Sequence, residues 1–129
     1  MLARNAYQAL LDWKQRDRRK ALLVEGARQI GKTFLVEEFA RREYPDYIKI
    51  DFLENDDAAK MLAGASSAQQ VVSALSLISG KPVVPGDTLV FFDEVQEAQN
   101  LLTFSKYLVQ DGRFDVVMSG SLLGVELSQ

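Results

Sequence analysis

The 129-residue chain is predicted to form an α/β domain, a three-layer core in which a parallel sheet carries helices on both faces. Three observations carry that expectation. Four short, apolar, β-favouring runs alternate with segments of helical periodicity. A glycine-rich turn of the pattern G-x-x-x-x-G-K-[ST] joins the first of those runs to the helix after it. Polar or acidic residues follow the C-terminal tips of the strands, the edge at which such sheets take their ligands.

Taken in order, a first helix is expected over about Ala3 to Arg16, with Tyr7, Leu10 and Leu11 on one face and Trp13 a candidate for it. Lys14, Arg16, Arg18, Arg19 and Lys20 cluster at its end, where cations suit the negative pole of the helix dipole. That cluster reads as a solvated helix end rather than a nucleic-acid contact. Ala21-Leu22-Leu23-Val24-Glu25 is a short apolar run of the kind found in buried parallel strands. From Lys32 to Arg42, Leu35, Val36, Phe39 and Ala40 fall on one helical face and Glu37, Glu38, Arg41 and Arg42 on the other.

Tyr47 to Phe52 reads as a second strand, with Asp51 at its end taken as structural. Asp56 and Asp57 open a short helix through Leu62, ahead of Gly64. Ser67-Ala68-Gln69-Gln70 has the form of a capping box, followed by the stripe Val71, Val72, Leu75 and Ile78 and a stop at Gly80. Pro82, Pro85 and Gly86 punctuate the next loop. Thr88-Leu89-Val90-Phe91-Phe92 then runs straight into Asp93 and Glu94. A helix from Asn100 to Gln110 offers Leu101, Leu102, Phe104, Tyr107 and Leu108 to the core before Asp111-Gly112 ends it. Phe114 to Met118 is the fourth strand, tipped by Ser119-Gly120-Ser121. With no repeat or linker, residues 1–129 read as one domain.

Composition narrows the chemistry. A chain that is 47% hydrophobic and 26% charged suits an ordinary globular core. No apolar run approaches a membrane span and the first twenty residues lack a signal-peptide core, so a cytoplasmic location is expected and a membrane partner is not. Without cysteine or histidine there is no disulfide framework, no thiolate or imidazole metal site and no histidine base. A net charge of −3 gives no footprint for nucleic acid, although contact through an attached region stays open.

The turn Gly26-Ala27-Arg28-Gln29-Ile30-Gly31-Lys32-Thr33 has the form of a phosphate loop, which a chain of this length matches by chance on the order of one per cent of the time. Its glycines let successive N–H groups turn inward onto phosphate oxygens, and the following helix adds its free donors and positive pole. Lys32 supplies a flexible cation for the outer phosphates and Thr33 a hydroxyl ligand for Mg²⁺. Arg28 either faces solvent or helps to neutralise phosphate. Asp93 fits the carboxylate that holds the Mg²⁺ shell near Thr33, and Glu94 the group that polarises an attacking water. Ser119 is read as a hydrogen-bond donor to the γ-phosphate or that water, the role called sensor 1, against the plain reading of Ser-Gly as turn residues. Gln96 reaches toward the same water or else begins the next helix, and the helix role is favoured.

Together, the phosphate loop, the Asp93-Glu94-Val95-Gln96 box and the Ser119-Gly120-Ser121 tip resemble an AAA-type ATP-binding domain. More narrowly, they are similar to prokaryotic AAA-family ATPases with a G-x-R-Q-x-G-K-T loop and a D-E-x-Q box, over about Leu2 to Leu123. The resemblance implies strand order 2-3-4-1 and ATP with Mg²⁺ as ligands. An adenine preference rests on it alone, since no residue here reads the base. Relatives carry a fifth strand, a helical lid, a sensor 2 arginine and an arginine finger. Arg113 does not replace the finger, because it precedes the fourth strand and so lies at the opposite edge. The expectation is therefore an N-terminal part of a longer protein, binding ATP·Mg²⁺ but hydrolysing it slowly alone, with lid and finger supplied by a C-terminal region or a neighbouring subunit. Hydrolysis would drive or reset an attached module. The alternatives are a signalling or defence switch timed by hydrolysis and, less favoured, a fragment of a DNA-helicase-like protein. A GTPase is disfavoured by the absence of an N-K-x-D motif.

Overall fold

The computed structural model describes residues 2–16, 20–25, 30–112 and 114–120. Within them the order is α1 (Leu2–Lys14), β1 (Leu22–Glu25), α2 (Ile30–Glu43), β2 (Asp46–Asp51), α3 (Asp56–Ala63), α4 (Ala68–Ser79), β3 (Thr88–Asp93), a 3₁₀ turn (Val95–Glu97), α5 (Leu101–Asp111) and β4 (Asp115–Gly120). All strand pairs are parallel. The sheet order is β1-β4-β3-β2, which read from the other edge is the expected 2-3-4-1.

The sheet separates two apolar cores, because successive side chains of a strand point to opposite faces. On one face, Leu89, Phe91 and Val117 pack against Leu10 and Trp13 of α1 and Val36, Phe39 and Ala40 of α2. On the other, Ile48, Ile50, Val90, Phe92, Val116 and Met118 meet α3, α4 and α5. Flanked by β2 and β4, β3 is buried at every position. That explains its nearly continuous apolar run. Phe39 anchors the first core, with ring centroids 6.0 Å from Tyr7 and 5.8 Å from Tyr44. Phe92, Phe52 and Phe104 form a triad in the second, at 5.3 to 6.0 Å.

Local chemistry sets the element ends. Asn55 caps α3 by accepting from the Ala58 amide at 3.0 Å. The Ser67 hydroxyl accepts from the Gln70 amide at 3.2 Å, as a capping box requires. The return bond differs, since the Gln70 side-chain oxygen accepts from the Ser66 amide, 2.8 Å away, rather than from that of Ser67. Gly80 and Gly112 close α4 and α5 with φ of 72° and 78°, a region that suits glycine.

Trp13, a candidate for the apolar face of α1, is fully in the core, its indole N–H donating to the Lys20 carbonyl at 2.7 Å. Two details depart from the sequence reading. Phe52 lies just beyond β2 and turns into the aromatic triad. β4 extends through Gly120, so Ser119 and Gly120 are strand residues rather than a terminal turn.

Candidate functional site

The C-terminal ends of β1, β3 and β4 and the start of α2 meet at one edge of the sheet. Gly26, Ala27, Arg28 and Gln29, and Ser121 beyond β4, lie outside the described residues, as do Arg18, Arg19 and Arg113. Ile30, Gly31, Lys32 and Thr33 form the first turn of α2. A Cβ at Gly31 would meet no described atom within 4 Å, so no described part of the protein demands glycine there.

Two side chains of that turn cross to the strand tips. The Thr33 hydroxyl donates to Asp93 Oδ2 at 2.8 Å, although the two residues are 60 apart in sequence. The Lys32 ammonium donates to the Gly120 carbonyl at 2.9 Å. Asp93 therefore faces α2, on the side of the sheet shared by Leu89 and Phe91. Its second oxygen accepts from the Glu94 amide at 2.9 Å. Burial, the largest influence, pushes the Asp93 carboxyl above the usual carboxylate range. The two hydrogen bonds pull it back, while the charges of Glu94 and Asp51 push it up further.

Ser119 lies one residue beyond Met118, the β4 residue opposite Phe92, which continues the register to place it level with Asp93. It shares the face of Val117 and hence of α2. The residue is 0% exposed and its hydroxyl has no partner among the described residues. A buried hydroxyl without a partner is uncommon and costs free energy.

Glu94 is the first residue after β3, with φ 55° and ψ 49°. A non-glycine residue in this left-handed region carries strain, here at the point where the chain leaves the sheet. Its carboxylate accepts from the Gln96 amide at 2.7 Å. Gln96 sits in the 3₁₀ turn and α5 begins only at Leu101, so the favoured helix role is not what the structure places there. Its side-chain oxygen is buried, without a partner among the described residues, against Gly120. A Cβ on Gly120 would collide with that oxygen and stand 3.0 Å from the Val95 amide nitrogen. Sequence reasoning gave Gly120 no role beyond the turn, because close approach between strand end and 3₁₀ turn leaves no local signal. Asp51 acts structurally, its Oδ1 accepting from the amides of Leu53 at 2.9 Å and Glu54 at 3.3 Å.

A family model described as an AAA domain matches residues 18–129. The chain belongs to the AAA-domain family. Comparison with curated proteins and with solved structures gave no match. Membership makes this a nucleotide-binding domain of the ATPase type, and relatives in the AAA family usually bind ATP and Mg²⁺. The AAA match spans all four strands and thus every residue of the site above. Among the described residues of this AAA domain, no helix is long and apolar enough to cross a membrane.

The donor set fits the cation that the family implies. Among the described residues no group of three or more carboxylate, imidazole or thiolate side chains could enclose a metal. A single buried carboxylate beside a hydroxyl is instead what Mg²⁺ uses when substrate phosphates and water complete its shell.

Proposed function

We propose that this AAA domain binds ATP·Mg²⁺ at the strand edge and hydrolyses it slowly by itself, so driving or resetting an attached module. The observation that carries the reading is the Thr33–Asp93 hydrogen bond of 2.8 Å. It joins the last position of a phosphate-loop motif to the carboxylate ending the central strand. Gly26 to Thr33 would hold the phosphates, with Thr33 and Asp93 the protein groups for Mg²⁺. Bound there, the ion would act as a Lewis acid on the phosphate oxygens.

The chain's own groups divide the remaining work. Lys32, on a flexible stem beside the Gly120 carbonyl, exchanges that acceptor for the outer phosphates. Glu94 lies next to Asp93 and takes the proton of the attacking water. The Ser119 hydroxyl, buried and unpartnered among the described residues, has an O–H to give to the γ-phosphate or that water. With an arginine finger assigned to an attached region or a neighbouring subunit, turnover by this domain alone stays below about one per second. Arg41 and Arg42 do not serve as one, since both pair with Glu38, at 3.1 and 2.7 Å, toward the far end of α2 from Lys32. The finger and lid are assigned to an attached region or a neighbouring subunit.

Steady-state hydrolysis by the Glu94→Gln variant tests the assignment. Turnover should fall by about a hundredfold or more, with ATP·Mg²⁺ affinity kept. Unchanged turnover would remove Glu94 from the chemistry.

A further inference from the structure

Strand β2 ends the sheet, paired among the described residues with β3 alone, so one row of its backbone groups faces outward. The Asp46 amide donates to the Asp87 carbonyl and the Phe52 amide to the Asp93 carbonyl, which fixes that row. Even-numbered residues turn to β3, and Tyr47, Lys49 and Asp51 turn outward. Most of the row is already covered. The Tyr47 amide donates to Asp46 Oδ1 at 2.8 Å, and the Tyr47 carbonyl accepts from the Lys81 ammonium at 3.1 Å. The Asp51 carbonyl accepts from the Asn55 amide at 2.9 Å. A charged side chain laid along an edge in this way protects it against pairing with other chains. The protection stops short of Lys49, whose N–H and C=O have no partner among the described residues, and of the Asp51 N–H. Beside that gap is a cavity of about 320 Å³ lined by β2, the loop after it and the end of α4. Ile50 and Ile78 give it apolar walls, while Asp51 and Glu54 bring carboxylates to it. Lys49 is paired with Glu37 at 3.7 Å and Lys81 with Asp46 at 3.0 Å, so the charge left uncompensated at this edge is negative.

We infer that the open edge at Lys49 and Asp51 docks an extended segment of a partner protein, which adds a strand to β2. The segment seats an apolar side chain in the cavity and sets a lysine or arginine beside Asp51 and Glu54. Backbone bonds to the Lys49 amide and carbonyl and the Asp51 amide hold it, and the two side chains select it. A second copy of this chain does not fit the same edge. Two-fold antiparallel pairing through the Lys49 amide and carbonyl would set Lys49 directly opposite its equivalent, and like charges so placed destabilise a strand pair. Docking at this edge requires no nucleotide.

The test titrates capped hexapeptides of alternating threonine and valine, one with arginine first and one with arginine last, into the ¹⁵N-labelled chain. At least one should shift the Lys49 and Asp51 amide signals and, at saturation, slow their hydrogen exchange about tenfold, with the Tyr47 amide unchanged. Glutamate in place of arginine should weaken binding about threefold. N-methylation of the central peptide amides should weaken it about tenfold. Lys49→Pro removes the outward N–H without touching a bond to β3 and should also weaken binding about tenfold. Should that variant fail to fold, the N-methylated peptides on the unaltered chain decide the same point. Glu54→Gln should narrow the gap between arginine and glutamate peptides. Equal affinity for plain and N-methylated peptides, or shifts confined to other residues, overturns strand addition. No shift from either peptide at about 5 mM overturns it as well. Equal affinity for arginine and glutamate peptides overturns the basic partner. Shifts of Lys49 and Asp51 that grow with protein concentration alone, with a dimer in sedimentation, give the edge to a second copy and overturn the partner segment.

Discussion

Asp93 is 4% exposed as a residue, and its carboxylate has the Thr33 hydroxyl and the Glu94 backbone amide as donors. Burial raises its proton affinity, so the sign of its contribution is fixed. Stability from Asp93 is complete below the ordinary value of 3.8 and is lost as pH rises through the raised folded value. Asp93→Asn should therefore stabilise the nucleotide-free protein at neutral pH by on the order of 1 kcal/mol, as relief of a strained functional site commonly does. The gain should shrink as pH falls toward 3.8, which denaturant melts of the two proteins at several pH values would show. Glu38 and Asp46 carry the opposite sign, since hydrogen bonds to Arg41 and Lys81 hold their carboxyls below the ordinary range. Their contribution is present at neutral pH and fades in acid, so only the difference between wild type and Asp93→Asn isolates the buried group. The same substitution should remove the Mg²⁺ dependence of ATP binding. The sequence announced Asp93, because four apolar residues running into a carboxylate leave little choice about where that carboxylate ends. It did not announce the left-handed backbone of Glu94, which is imposed by the turn into Val95.

Among the elements, the helices draw their limits from identifiable side chains and their stability from the two cores. Ser67→Ala should cost about 1 kcal/mol by removing the cap of α4, measured as a drop in the unfolding midpoint without loss of ATP binding. Phe104→Ala, which opens a cavity beside Phe52 and Phe92, should cost about 3–5 kcal/mol. The caps and stripes were legible because they are local: Ser67, Gly80 and Gly112 act on backbone a few residues away. Helical periodicity likewise placed Phe39, Leu75 and Leu108 correctly inside. What escaped was tertiary. Whether Gln96 belongs to a 3₁₀ turn or to α5 depends on Gly120 approaching from another strand, a contact 24 residues distant in sequence. The extension of β4 through Gly120 depends equally on pairing with β1, whose Glu25 lies opposite.

For the whole molecule, parallel pairing with strand order β2-β3-β4-β1 gathers Thr33, Asp93, Glu94, Ser119 and Lys32 at one edge. Alternating strands and helices made that sheet legible, and the family resemblance supplied its order. The motif positions then supplied most of the site. The central claim concerns what this edge does, and calorimetric titration of ATP with and without Mg²⁺ tests it most directly on wild type and Lys32→Ala. Wild type should bind, more tightly with Mg²⁺, and loss of the ammonium should weaken binding by at least about tenfold. Equal affinity of the two proteins would contradict a phosphate site at the start of α2.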